Sequence, residues 1–113
     1  MENKVREFVK ALGISPEMTG FKYIVASVIY IKKIGDPSDV SFTKLYKVIG
    51  DDFNTTSAAV ERCIRQAIYS TFESPRCLDN IRKLLKFPFS DGTTTNSKFL
   101  ALCADVIDLE DNE

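Results

Sequence analysis

Residues 49–72 read IGDDFNTTSAAVERCIRQAIYSTF, and this stretch decides what the rest of the chain must build. Gly50 stands late in one helical pattern, a small residue where a second helix has to pass close by. Asn54 follows in the turn, where a left-handed backbone is usually needed; apart from Gly, Asn and Asp adopt it most readily. Thr55 and Thr56 then supply hydroxyls that can cap the bare amides of a new helix. Val60 is placed to fill the angle between the two helices. Small residue, turn, cap and apolar corner, in that order, predict a helix-turn-helix.

The second helix of this unit has two faces. Val60, Ile64, Ala67, Ile68, Thr71 and Phe72 recur at helical spacing and form a burying stripe. Ala58, Arg62, Arg65, Gln66 and Tyr69 lie on the other side, with Glu61 at the edge. Arg and Gln each place two hydrogen bonds on a base edge, and Glu accepts from cytosine, so this is the chemistry of major-groove reading. Arg62 and Glu61 are the expected readers, with Arg65, Gln66, Thr56 and Ser57 as supporting contacts. An ordinary amphipathic helix also carries arginine on its wet face. Glu61 and Arg65 moreover stand i,i+4, a spacing at which they pair with each other.

Outward from this centre, helical periodicity recurs on both sides. Val5, Phe8, Val9 and Leu12 fit a helix over residues 2–12, stopped by Gly13. Phe21, Ile24, Val25, Val28 and Ile29 face inward from a second helix over residues 19–34. Its VIYI run has strand propensity, but the length of the pattern, Lys32 and Lys33 near its end and the closing Gly35 favour helix. After a loop at residues 36–39, Ser41 or Thr43 opens the third helix, with Phe42, Leu45, Tyr46, Ile49 and Phe53 as its stripe. The fourth helix is expected over residues 56–73 and is ended by Ser74-Pro75. A fifth, over residues 78–86, turns Leu78, Ile81, Leu84 and Leu85 inward and Arg82, Lys83 and Lys86 outward. Thr95 or Asn96 caps a sixth, reaching about residue 109, with Phe99, Leu100, Cys103, Val106 and Ile107 inside. The predicted fold is an all-α domain of six helices in which the third and fourth form the helix-turn-helix.

Composition narrows the function. The 113 residues suit one domain, with a frayed acidic tail at residues 110–113, and are enough to bury a core without staples. No apolar run approaches the roughly 20 residues of a membrane span, and the first residues lack a signal peptide's apolar core, so a cytoplasmic, nucleoid-associated protein is expected. With no histidine and three widely spaced cysteines (Cys63, Cys77, Cys103), the chain offers no His-based catalysis and no metal-binding pattern. The cysteines are expected to be packing residues. No phosphate loop or acid–base pair appears, so neither an enzyme nor a cofactor is expected. Net charge is −1, yet all 15 basic residues lie at or before Lys98, against 11 of the 16 acidic ones, a balance of +4 for that body. Asp105, Asp108, Glu110, Asp111 and Glu113 carry the rest. A mildly basic body with an acidic end permits DNA binding.

From about residue 5 to residue 110 the chain resembles the C-terminal DNA-binding effector domain of the sporulation-initiation response regulator of endospore-forming bacteria (stage zero sporulation protein A). The resemblance rests on FNTT at residues 53–56, VER at 60–62, IR at 64–65, AI at 67–68 and TNS followed by Phe99, with a weaker GFKYI at 20–24. It implies six helices with the third and fourth as the reading unit. It also implies recognition of a short DNA box, usually in tandem copies, with Glu61 and Arg62 facing bases and Arg65 nearby. Contact with the sigma subunit of RNA polymerase, and pairing of two copies on tandem sites, are further implied partners.

Departures from that pattern all weaken attraction to phosphate. Ala58-Ala59 stand where the family has Ser-Arg, Gln66 where it has His, and Asp51-Asp52 where it has two lysines. Residues 90–95 lack the lysine of the family's longer loop. The chain has no room for a receiver domain, so either a free-standing effector, which the initiator-like Met1 favours, or a piece of something longer is expected. Two functions are therefore expected from different classes: a sequence-specific transcriptional regulator, or a protein-interaction module of the same fold that modulates the full-length regulator or RNA polymerase.

Overall fold

The computed structural model describes residues 1–89 and 94–107. Six α-helices make up the described residues, with no strand: α1 (Glu2–Ala11), α2 (Thr19–Ile34), α3 (Phe42–Asp52), α4 (Ser57–Phe72), α5 (Pro75–Leu85) and α6 (Asn96–Val106). The loop before α3 winds into a single 3-10 turn, Pro37–Asp39, held by the Asp36 carboxylate accepting from the Ser38 amide.

Helix α2 is the hub. It packs against α1, α3, α4 and α6, and Phe21, Ile24, Val28 and Ile31 are buried along its length. That settles the VIYI run: strand propensity is a local preference, and a helix able to bury one face against four neighbours outweighs it. Gly13 and Gly35, both with positive φ, close α1 and α2 as expected. At the far end of α2 the Lys32 ammonium donates to the carbonyls of Ala104 (3.0 Å) and Ile107 (2.9 Å), where a cation meets the unpaired end of α6.

Three boundaries differ from the sequence pattern. Helix α5 begins a turn earlier than expected, because Ser74-Pro75 does not merely stop α4. The Ser74 hydroxyl caps the Cys77 amide at 3.3 Å, and Pro75 takes the first helical position, where a missing N–H costs nothing. Phe53 falls after the last residue of α3 and is 38% exposed, so it leaves the core stripe; its ring instead meets Tyr23 edge-on at 5.3 Å. Helix α6 ends at Val106, short of the expected residue 109, because Ile107 is already extended at φ −71° and ψ 127°; the acidic tail lies outside the described residues, as does most of the 90–95 loop. The inward faces are otherwise those expected, with Phe8, Ile29, Phe42, Tyr46, Leu84 and Val106 only partly covered.

Candidate nucleic-acid interface

The turn between α3 and α4 is built by hydrogen bonds that the sequence dictates. Asn54 takes φ +58°. Its amide donates to the Asp51 carbonyl at 3.3 Å, and the Thr55 amide to the Gly50 carbonyl at 2.8 Å, a pairing that consumes the loose carbonyls of α3. Gly50 is needed here because the chain doubles back onto it: a Cβ at this position would sit 3.0 Å from the Thr55 carbonyl oxygen. Thr56 then starts α4, its hydroxyl accepting from the Ala59 amide at 3.1 Å. Val60 fills the corner and is fully buried.

Packing on three sides fixes the rotation of α4. Val60, Ile64, Ala67, Ile68, Thr71 and Phe72 are all buried, so the burying stripe is the one the sequence predicted. Against its first half lies Gly20 of α2, so close that a Cβ there would stand 2.3 Å from the Cys63 carbonyl oxygen. From the other flank the Asn96 side-chain amide, 8% exposed, donates to the Glu61 carbonyl at 3.0 Å and ties the start of α6 to α4. Tyr46 of α3 closes the third side next to Glu61, Arg65 and Asn96; burial pushes its phenol pKa up, only partly offset by a hydrogen bond with Asn96. Neither Gly20 nor Asn96 figured among the expected contacts of α4. The one sequence signal for Asn96 is that it follows a capping threonine at a helix start.

All six candidate contact residues lie on α4 or its cap. Arg62, Arg65, Gln66, Thr56 and Ser57 are exposed, and Glu61 is half-buried at the edge of the face. Arg62 makes no hydrogen bond or ion pair among the described residues. Glu61 and Arg65 are not free: one terminal guanidinium nitrogen of Arg65 meets both carboxylate oxygens of Glu61. The i,i+4 pairing that the sequence allowed is therefore the arrangement found, whereas the Thr56 hydroxyl is engaged in capping. Asp51 and Asp52 are exposed at the end of α3, Asp51 offset by Lys47 at 3.6 Å.

The described residues hold no cluster of acidic, thiol or imidazole groups suited to a metal. The three cysteines are free thiols: Cys103 is buried, with its pKa pushed up by burial, while Cys63 and Cys77 are half-buried. None of the described helices is long and apolar enough to cross a membrane. A family model described as "Sporulation initiation factor Spo0A C terminal" matches residues 5–107.

Proposed function

The chain belongs to the sporulation initiation factor Spo0A C-terminal family of DNA-binding effector domains, and we propose that it reads a specific duplex sequence through the outer face of α4. The observation that carries this reading is the state of Arg62. Its side chain is exposed and has no partner among the described residues, on a helix packed against Gly20, Asn96 and Tyr46. A rigid helix presenting an unspent guanidinium is what a bidentate contact to guanine requires. Glu61 flanks it as the second reader. Arg65, Gln66, Thr56 and Ser57 support the docked helix, and the protein acts at the nucleoid in the cytoplasm. The sigma subunit of RNA polymerase and a second copy on tandem boxes are partners by family resemblance.

A second reading has its own observation. Asp51 and Asp52 stand exposed beside the turn that delivers α4, and one candidate arginine is already paired with Glu61. Both features suit a protein-interaction module with little DNA affinity. Binding of the parent and Arg62→Ala to the family's box and to scrambled DNA at low salt separates the two. Loss of an Arg–guanine pair should cost about 1–3 kcal/mol of discrimination. Equal preference for the box in parent and variant would remove the reading role from Arg62. No binding by the parent at low salt would favour the interaction module.

A further inference from the structure

Beyond Gln66 the outer face of α4 continues to Tyr69, whose side chain is left 58% exposed although it is large and largely apolar. On one side of this ring lies a cleft of about 550 Å³ between α4 and the start of α6. Arg65, Tyr69, Phe87 and Lys98 are among the described residues that line it. The Lys98 ammonium sits 4.2 Å from the centre of the Phe87 ring, a contact that holds the amine at the cleft without consuming its hydrogen-bond donors. Arg65 uses one terminal nitrogen on Glu61, and no other of its guanidinium nitrogens has a partner among the described residues. Among the described residues the cleft thus brings together two cations and a phenol, and none of those that line it is a carboxylate.

We propose that this cleft seats a sugar-phosphate strand of the duplex beside the box, with Lys98 and Tyr69 as its phosphate contacts and Arg65 shared with the reading face. The proposal rests on α4 being the reading helix, and the position follows from helix geometry. Tyr69 is seven residues past Arg62, or about 10 Å along the axis at 1.5 Å per residue, which is close to the roughly 12 Å width of a major groove. With Arg62 at base edges, Tyr69 therefore reaches the groove wall, where the backbone runs. Phosphate contacts of this kind fix register and carry no sequence information. The cleft would return part of the attraction that Asp51, Asp52, Ala58 and Ala59 remove.

The test measures affinity of the full chain for box and scrambled duplexes across a salt series, for the parent, Lys98→Gln, Tyr69→Ala and Arg62→Ala. Melting curves establish that each variant is folded; Lys98 and Tyr69 are exposed. Lys98→Gln should weaken both duplexes by one common factor and flatten the slope of log affinity against log salt by roughly 0.9. Tyr69→Ala should likewise weaken both by a common factor, and box preference should survive in each. A duplex with neutral methylphosphonates in the flank should bind the parent no better than Lys98→Gln binds the normal duplex. Unchanged affinity and slope in Lys98→Gln and Tyr69→Ala, while Arg62→Ala loses box preference, would overturn the cleft and leave the reading helix standing. Retained box preference in Arg62→Ala with a flatter slope in Lys98→Gln would support the cleft and remove the reading role from Arg62. No DNA binding by any variant at low salt would overturn both.

Discussion

Replacing Gly20 by alanine sets two known effects against each other, and the structure says which wins. Inside an ordinary helix, Gly→Ala stabilises by about 1 kcal/mol. Here the new Cβ would stand 2.3 Å from the Cys63 carbonyl oxygen and 2.8 Å from the Ala67 Cβ. The nearer obstacle is α4 backbone, which cannot swing aside as a flexible side chain can. Relief requires α2 and α4 to part by roughly an ångström, and a gap of that size forfeits about a quarter to a half of each dispersion contact it opens. Because α2 is the hub and its seam with α4 is its most extensive, the loss should exceed the helix-propensity gain. A net cost of about 2 kcal/mol, within the range for overpacking, lowers the Tm of a domain this size by roughly 10 °C. The assay is a thermal melt of Gly20→Ala beside Gly50→Ala. At Gly50 the nearest obstacle lies at 3.0 Å, in turn backbone that can yield by tenths of an ångström, so that variant should lose less. A Gly20→Ala protein melting at or above the parent would refute the close approach of the two helices.

Three further outcomes test separate parts of the structure. Val60→Lys should unfold the domain, since it buries an unpaired charge at the corner, whereas Gln66→Lys on the outer face should change stability by no more than about 0.5 kcal/mol; equal melting temperatures would mean the faces are reversed. Replacing both Asp51 and Asp52 by lysine should tighten binding to box and scrambled DNA alike and steepen the salt slope by up to ~2 units; an unchanged slope would mean that both carboxylates face away from DNA. In the native protein Cys103 should resist thiol reagents at neutral pH, being buried with its pKa pushed up, while Cys63 and Cys77 label; native mass spectrometry should show neither zinc nor an internal disulfide, and stoichiometric zinc would refute the packing role.

What the sequence made legible was local. Asn54 in the turn, Thr56 at the cap and Val60 in the corner are determined within a few residues of chain, by backbone sterics, capping and periodicity. The inward stripe of α4 follows from one period. The features that escaped depend on contacts between distant segments. Gly20 looks like any helix glycine until α4 is laid across it. The Asn96–Glu61 bond joins residues 35 apart, and nothing near either one announces the other. Phe53 matched the α3 stripe by spacing, but the helix ends before the ring reaches the core. Ser74-Pro75 does end α4, but the start of α5 is hidden for a local reason: proline signals both the end of one helix and the first turn of the next, and only the Ser74 cap distinguishes them.

The Glu61–Arg65 pair bears on how such a helix could discriminate between sequences. An exposed i,i+4 pair of this kind contributes only about 0.3–0.5 kcal/mol, so drawing Arg65 away to phosphate costs little. The larger consequence falls on Glu61. Once its partner leaves, the carboxylate stands uncompensated in a groove walled by phosphates, unless a base donates a hydrogen bond to it. Cytosine does so through its exocyclic amine, whereas guanine and thymine present acceptors that repel it. In the proposed complex, then, Glu61 lowers affinity for every duplex and lowers it least for the right one, which makes it a source of specificity through rejection. Arg62 supplies attraction at the same site. If Asp51 and Asp52 repel phosphate as predicted above, they lower affinity for every duplex alike and leave discrimination in that complex to Glu61 and Arg62.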